Sequence, residues 1–209
     1  MLSFATISSF VAIVIGLFLI PGPAVFLIAT RTVQSGRRAG VVAGLGIATG
    51  DLIHTFFAAV GLSAVLMTSA LAFNIIKFAG AAYLIYLGIK AILEKPSVQG
   101  MPKVPTKKGN NVYRQAILIE ILNPKTALFF LAFLPQFVHP GQGPSFVQFL
   151  LLGLIFVVLS AIYTTLLAVS VQKLGQTIKR ISWLSRWGGK AVGAIYISLG
   201  LKVAIQSRS

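Results

Sequence analysis

The sequence predicts an all-α integral membrane protein, with six transmembrane helices arranged as two inverted repeats of three. Of its 209 residues, 56% are hydrophobic and only 10% are charged, whereas an ordinary globular domain carries roughly a quarter charged residues. The uncharged stretches supply six segments of about 20 apolar residues, the length that one bilayer crossing needs. This composition leaves almost no residues for a soluble domain.

Three predicted helices occupy the first half of the chain. The first is the apolar block of residues 1–30, which ends at Arg31. Because this block carries no charge and a cleavable signal peptide normally opens with a basic region, we expect the block to remain as a helix. The segment from Ala39 to Lys90 is too long for one crossing and fits two, with a turn near Met67 to Asn74.

A linker rich in Pro, Gly and Lys, residues 94–112, divides the chain near its middle. Such a composition is typical of an exposed connection that cannot bury a core. It separates an N-terminal repeat, residues 1–93, from a C-terminal repeat, residues 113–209. The second repeat is predicted to contain a fourth helix from Tyr113 to Val138, a tight turn from His139 to Ser145, a fifth helix to about Gln172, and a sixth helix after a basic stretch.

The net charge of +15 comes mostly from alternate loops. In a soluble protein this charge would suggest a nucleic-acid surface, but between apolar spans it acts as a topology signal, so we expect no nucleic-acid partner. Basic loops stay in the cytoplasm, which predicts both termini outside, since the loops at 67–74 and 139–145 contain no Lys or Arg. The basic loops contain Arg31, Arg37 and Arg38; Lys90, Lys95, Lys103, Lys107, Lys108 and Arg114; and Lys173, Lys179, Arg180, Arg186 and Lys190.

Two segments led by proline indicate an internal repeat. Residues 21–29 (PGPAVFLIA) and 124–132 (PKTALFFLA) share Pro, Ala, Phe and a final Ala at the same spacing, 103 residues apart. Apolar helices also match by chance, and that alternative stays open. Because three helices per half is an odd number, the halves would lie upside down to one another, as in many secondary transporters. Weaker matches pair Leu87–Lys90 with Leu199–Lys202 and Gly44-Leu45 with Gly153-Leu154, which sets Asp51 opposite Ser160 and His54 opposite Tyr163.

Pro21-Gly22-Pro23 falls in the interior of the first predicted helix. Each Pro lacks an N–H donor and clashes with the carbonyl four residues earlier, which belongs to Leu17 for Pro21 and to Leu19 for Pro23. By helical rise, Pro21 lies roughly 15 Å from Arg31, about half the hydrocarbon thickness. Broken backbone at that depth is tolerated only against protein or a water-filled cavity. An ordinary kink is the alternative, but a doubled Pro around Gly favours a functional break.

Asn123-Pro124-Lys125 is predicted to break the fourth helix in the same way. Pro124 has no N–H to donate, so the carbonyl of Glu120 loses its helical partner. Asn123 suits the cap position of the half-helix that begins at Pro124. Two half-helix N-termini would therefore meet near the midplane, each with a positive dipole end that favours an anion such as a carboxylate. The predicted substrate-binding residues are Pro21, Gly22, Pro23, Asp51, Asn123, Pro124 and Lys125.

Asp51 is the carboxylate in the middle of a predicted helix core. An ionised group at the bilayer centre costs at least about 2.5 kcal/mol unless it is paired. We therefore expect Asp51 to exchange a proton or to receive a substrate ammonium; a structural pairing with Lys125 is the alternative, and both roles can coexist. His54, one turn further on, is either a packed neutral histidine or a proton relay. Asp51, His54 and Glu120 together resemble a metal-binding cluster only weakly, and no metal site is predicted.

These residues resemble those of the LysE/RhtB family of bacterial amino-acid exporters, and the resemblance covers essentially the whole chain. The motifs are Pro21-Gly22-Pro23, the pair Gly50-Asp51, the run 79–88 (AGAAYLIYLG), and Asn123-Pro124-Lys125 with the run 129–137 (FFLAFLPQF). The resemblance implies efflux of amino acids or close relatives across the bacterial cytoplasmic membrane, driven by the proton gradient without ATP or a bound cofactor. It leaves the substrate open.

The leading hypothesis is a proton-coupled exporter of small neutral amino acids, with Asp51, His54 and Glu120 as candidate coupling residues. A neutral substrate is favoured because Glu120 is expected only about 9 Å along its helix from Arg114, too shallow to add a second mid-membrane carboxylate. The alternatives are a divalent-cation exporter and a non-transporting membrane subunit; an enzyme is disfavoured, since no nucleophile, base and orienting group stand together. The expected partners are an amino acid, protons and lipid, and a homo-oligomer stays possible.

Overall fold

The computed structural model describes residues 2–19, 22–68, 70–93 and 110–174. Near the C-terminus it describes only residues 190, 193, 194, 197, 198, 200, 201, 204 and 205. Within these residues all regular structure is helical, as the composition predicts. Several predictions fall outside the described residues: Pro21, most of the linker, the basic stretch before the sixth helix, and most of that helix.

The first break lies where the prolines predict it. Helix α1 (Phe4–Leu19) and helix α2 (Pro23–Ser35) meet at an angle of 57°. Pro23 is the first residue of α2 and Gly22 before it is extended, with φ −131° and ψ −175°. Proline suits this position because the first N–H of a helix has no intrahelical partner and the ring presets φ. The bent pair together has the length and apolarity of one broken span.

The predicted end of the first helix at Arg31 is wrong. Helix α2 continues to Ser35, and Arg31 is fully buried inside it. The guanidinium tolerates this burial because its Nη2 donates a hydrogen bond to Gln115 Oε1 at 2.5 Å. The helix ends instead at Gly36, whose φ of 83° lies in the left-handed region that favours glycine. A single residue thus connects α2 to the next helix.

Helix α3 (Arg37–Phe57) continues through a π-helical turn (Ala58–Leu62) into the short helix α4 (Ser63–Thr68). Helix α5 follows from Ala70 to Leu93. The predicted turn at 67–74 is therefore wrong in extent, since residues 70–74 are already helical and only Ser69, outside the described residues, stands between the helices.

The second half begins with helix α6 (Asn110–Ile121), three residues before its predicted start and inside the predicted linker. Its continuation after Asn123 is helix α7 (Pro124–Leu128), and the two parts of this span meet at 43°. The helix then passes through a π-helical turn, Phe129–Phe133, and a 3-10 turn, Leu134–Phe137. A turn around Gly143 (φ 133°) leads into helix α8, Ser145–Leu174, close to the predicted fifth helix.

The described residues contain two unbroken helices that are long and apolar enough to cross a membrane, 37–65 and 145–171. The count rises to four if each bent pair forms one span. In α5 an apolar helical stretch, Phe78–Lys90, is shorter than the 18 residues required of a span. The protein is thus an all-helical integral membrane protein, while the number of six spans stays a prediction.

Helix α3 lies at the centre of the molecule and packs on α2, α6 and α8. Small residues allow the close approach to α6: a Cβ at Gly46 would stand 2.6 Å from the Cβ of Ala116, and a Cβ at Gly50 would stand 2.6 Å from that of Glu120. The outward faces of α3 and α8 carry exposed apolar side chains such as Leu52 and Ile162, as lipid contact requires.

Glycine contacts between the two halves are reciprocal. A Cβ at Gly44 of α3 would stand 2.9 Å from Thr164 Oγ1 of α8, while a Cβ at Gly153 of α8 would meet the side chain of Thr55 in α3. The weaker repeat match, Gly44-Leu45 with Gly153-Leu154, has an offset of 109 residues. The same offset relates Thr55 to Thr164, so the two contacts are equivalent. A second reciprocal pair of contacts joins α5 to the C-terminal residues: Gly88 approaches Gly193, and Gly200 approaches Ala81. An offset of 112 residues relates Ala81 to Gly193 and Gly88 to Gly200.

The Gly46→Val substitution is expected to destabilise the protein by about 1–3 kcal/mol, because overpacking forces α3 away from α6. We would measure the loss of monodisperse protein on heating in detergent. The matched control is Gly16→Val, since no atom lies within 4 Å of a Cβ at Gly16. Equal stability of the two variants would contradict the close packing of α3 on α6.

Candidate solute site between the broken helices

Asp51 lies in the middle of α3 and is 1% exposed. Its Oδ2 accepts a hydrogen bond from Ser160 Oγ of α8 at 2.5 Å, and its backbone carbonyl accepts one from Thr55 Oγ1. Its Oδ1 is buried and has no hydrogen-bond partner among the described residues. A buried acceptor without a donor is costly and rare in folded proteins, so this oxygen marks a place where a proton or a ligand would be stabilised.

Glu120, in the last turn of α6, is also buried and lies beside the carboxyl group of Asp51. Its carboxyl oxygens accept hydrogen bonds from Asn123 Nδ2 at 3.2 and 3.3 Å, and Oε1 accepts another from Thr126 Oγ1. The expectation that Glu120 is too shallow to join Asp51 is wrong. Helix α6 starts at Asn110, so Glu120 lies about 15 Å along it, and the break directly after it turns the chain toward α3.

Lys125 connects the two breaks. Its Nζ donates to the backbone carbonyl of Leu17 at 3.2 Å, the carbonyl that the ring of Pro21 deprives of a helical donor. The same ammonium lies beside Gly22, where a Cβ would stand 3.5 Å from Nζ. It also attracts the carboxyl groups of Glu120 and Asp51. Lys125 therefore attracts Asp51 electrostatically, in line with the structural alternative given for Asp51.

The two half-helix N-termini differ. Asn123 Oδ1 accepts from the backbone N–H of Lys125 at 3.1 Å, which confirms Asn123 as the predicted cap of α7. Gly22 provides no side chain to cap α2. Of the two predicted anion sites, the N-terminus of α2 is thus the one without a side-chain cap.

A small cavity of about 30 Å³ lies between the breaks. That volume holds about two water molecules and is too small for an amino acid, so the site is closed in this conformation. Its polar lining includes Asp51, Glu120, Asn123, Lys125, Ser160 and Tyr163. The cavity brings together Asp51, Asn123 and Lys125 from the predicted site, while Pro21 lies outside the described residues.

His54 lies apart from this cavity. Its Nε2 is 3.0 Å from the backbone carbonyl of Glu120, the group that Pro124 deprives of its helical donor. Because a carbonyl can only accept, Nε2 carries the hydrogen in this contact. The imidazole also stacks on Phe130, with ring centroids 5.7 Å apart. His54 therefore contacts the backbone of Glu120 rather than its carboxyl group.

Comparison with known proteins places this chain in a family. The sequence model of the LysE type translocators matches residues 15–207. The chain belongs to the LysE type translocator family. The chain is 32% identical over 188 residues to the homoserine/homoserine lactone efflux proteins of Salmonella typhimurium and Salmonella typhi, covering 90% of this chain and 90% of each relative. It is 30% identical over 201 residues to an uncharacterized membrane protein of Pseudomonas aeruginosa, covering 94% and 93%. No solved structure matches this chain.

Sequence reasoning missed several polar residues of this cavity as site residues, among them Ser160, Thr126 and Tyr163. A signal existed for Ser160, because the internal repeat sets it opposite Asp51. Tyr163 carried the same kind of signal as the repeat partner of His54. Thr126 carried none, since its contact with Glu120 depends on how the chain turns at Asn123.

The described residues contain no group of three His, Asp or Glu side chains able to hold a metal ion. The two carboxyl groups of the cluster lie beside the ammonium of Lys125, which would repel a divalent cation. The site geometry therefore gives no support to the divalent-cation alternative.

Proposed function

We propose that the chain exports small neutral amino acids or close relatives from the bacterial cytoplasm, in exchange for protons moving inward. Membership of a translocator family and the efflux function named for two relatives support this direction and substrate class. The observation that carries the proposal is the buried cluster of Asp51, Glu120 and Lys125 between two broken helices.

The charge of the cluster favours a neutral substrate. Lys125 contributes one positive charge and the two carboxyl groups contribute two negative charges, so one proton makes the cluster neutral. A zwitterionic amino acid brings one charge of each sign, and each can meet an opposite charge of the cluster, so neither is buried without a partner. Its carboxylate would lie at the uncapped N-terminus of α2 and near Lys125, and its ammonium would contact Asp51 Oδ1.

The carboxyl pair also supplies a route to proton coupling. Two adjacent carboxylates in a buried site repel each other, so Asp51 and Glu120 share a proton when no substrate is bound. A substrate ammonium needs the same oxygens, so it displaces that proton. The protein then carries either an amino acid or a proton across the membrane, and a potential of 100 mV provides about 2.3 kcal/mol for each charge moved, enough for a gradient of tens-fold.

The reciprocal contacts support an inverted repeat of the two halves, residues 1–93 and 113–209. An interface about a two-fold axis repeats each contact with the partners exchanged. The Gly44–Thr164 contact and the Gly153–Thr55 contact are exchanged by such an axis. The contact of Asp51 with Ser160 maps onto itself, because the repeat relates these two residues to each other. The polar cluster would therefore lie near the axis, where rocking of the halves exposes it to each side in turn.

The orientation follows from the basic loops, with both termini outside a bacterial cytoplasmic membrane. Arg37 and Arg38, which are exposed at the start of α3, would then lie at the cytoplasmic surface.

Purified protein in proteoliposomes should move protons when a suitable amino acid is supplied on one side. We would load the vesicles with a pH-sensitive dye and add homoserine, threonine, lysine, glutamate and Mn²⁺ in turn. We expect a proton flux with homoserine and threonine that exceeds the flux with lysine or glutamate at least tenfold. A response to Mn²⁺ alone would contradict the proposal.

A further inference from the structure

We propose that a groove between α3 and α7 is the extracytoplasmic half of the solute route, and that the side chains of His54 and Phe130 form the gate between this groove and the polar cavity. This inference rests on the proposed function, because it assigns a path to the same site. The occupant of the groove would be water and the transported zwitterion.

The groove has a volume of about 310 Å³, roughly the size at which small-molecule sites begin and far larger than the polar cavity. Its lining includes His54, Ala58, Gly61 and Leu62 from α3 and its π-helical turn, and Ala127 and Phe130 from the opposite wall. Both walls contain a π-helical turn, Ala58–Leu62 and Phe129–Phe133. Such turns are rare and are often found at functional sites.

Glu120 joins the groove to the cavity. Its carboxyl group lies in the cavity, while its backbone carbonyl accepts the hydrogen bond from His54, which lines the groove. The barrier between the two spaces is therefore the layer formed by His54 and the phenyl ring stacked on it. Rotation of the imidazole breaks one hydrogen bond and one stacking contact, and it would open the groove onto the carboxyl pair.

The groove extends toward the side predicted to be extracytoplasmic. Helix α3 starts at the basic residues Arg37 and Arg38, on the side predicted to be cytoplasmic. The groove follows the last turn of this helix, the π-helical turn and the start of α4, from His54 to Val65, a rise of about 16 Å. It therefore extends from the level of the polar cavity away from the cytoplasm.

The repeat defines an inner counterpart of this groove, formed by residues equivalent to its lining. Tyr163, Leu167 and Ser170 of α8 correspond to His54, Ala58 and Gly61, and Leu27 of α2 corresponds to Phe130. Tyr163 lines the cavity, whereas Leu27 is buried with Leu167 packed against its cluster, so this inner path is filled. An open path on one side and a closed equivalent on the other is what alternating access between inverted repeats requires.

The natural chain contains no Cys, so single cysteines report on accessibility without a mutated background. We would place Gly61→Cys and Ala58→Cys in the groove, Leu27→Cys in the inner counterpart, where Leu27 is buried, and Phe56→Cys on the exposed outer face of α3 as a lipid-facing control. Each would be labelled with a membrane-impermeant maleimide, applied to either side of sealed vesicles, with and without homoserine and a pH gradient.

Groove cysteines should react from the extracytoplasmic side at least tenfold faster than Phe56→Cys. Turnover should slow that reaction and accelerate the reaction of Leu27→Cys from the cytoplasmic side. Groove cysteines that react no faster than the control would overturn the inference, because lipid would then fill the groove. Gly61→Cys provides the safeguard against misfolding, since no atom lies within 4 Å of a Cβ there.

Labelling also separates this inference from the proposed function. Labelling from outside without any amino-acid transport would contradict the proposed substrate and keep the groove as a water-filled path. Amino-acid transport by variants whose groove cysteines stay unlabelled would contradict the role of the groove and leave the proposed function intact. As a second readout, Gly61→Trp should reduce transport at least tenfold while Gly16→Trp, at an equally open position, should leave it unchanged; equal transport by both variants would contradict the route.

Discussion

Replacing Asp51 with Asn is expected to abolish proton-coupled transport, by at least a hundredfold in initial rate. The amide keeps the size of the side chain, and its oxygen still accepts the hydrogen bond from Ser160. The amide cannot exchange a proton or attract an ammonium. Neither the proton nor the substrate is then bound at this position, so neither step of the exchange can take place. The measurement is amino-acid flux into or out of proteoliposomes under an imposed pH gradient.

Ser160→Ala is the matched control for this substitution. It removes the hydrogen bond to Asp51 Oδ2 and leaves the carboxyl group in place. We expect the control to retain transport within about tenfold, since the net contribution of one hydrogen bond is typically about 0.5–1.5 kcal/mol. Undiminished pH-driven flux through Asp51→Asn would exclude the role proposed for this carboxyl group.

Replacing Lys125 with Met is expected to reduce stability as well as transport. The substitution leaves two buried carboxyl groups without their cation and the carbonyl of Leu17 without its donor. Removing one partner of a buried ion pair costs about 3–5 kcal/mol, because the remaining charge is uncompensated. We would measure the thermal midpoint in detergent together with the amount of folded protein.

A double substitution tests the reason for this loss. Lys125→Met combined with Glu120→Gln removes one charge of each sign, so it should recover much of the stability without recovering transport. Lys125→Arg, which keeps the charge, should remain the most stable single variant at this position. A Lys125→Met protein as stable as the natural one would contradict the proposed contact between the two breaks.

The proline breaks could be predicted because their cause is local. A proline ring removes one donor and displaces one carbonyl wherever it stands in a helix, and the structure has breaks at Gly22-Pro23 and at Asn123-Pro124. The cap by Asn123 is equally local, since it reaches only two residues along the chain. The contact of Asp51 with Ser160 could be anticipated from the repeat, which sets these two positions opposite each other.

The errors have non-local causes. Arg31 was expected to end its helix because a charge in an apolar segment usually marks the interface, but Gln115 from a distant helix accepts its hydrogen bond. Glu120 was expected near the surface because its depth was counted from Arg114, whereas the helix begins earlier and breaks directly after Glu120. The two π-helical turns lie in ordinary apolar sequence, which contains no signal for them; the first packs on α8 and the second on α5.

Proton release upon substrate binding tests the shared carboxyl pair most directly. Purified protein in a weakly buffered solution would be titrated with homoserine while a dye records the pH. We expect about one proton to be released for each homoserine bound, and no release from Asp51→Asn or Glu120→Gln at matched occupancy. Homoserine binding without proton release from the natural protein, or equal release from Asp51→Asn, would contradict exchange of an ammonium for a proton at this site.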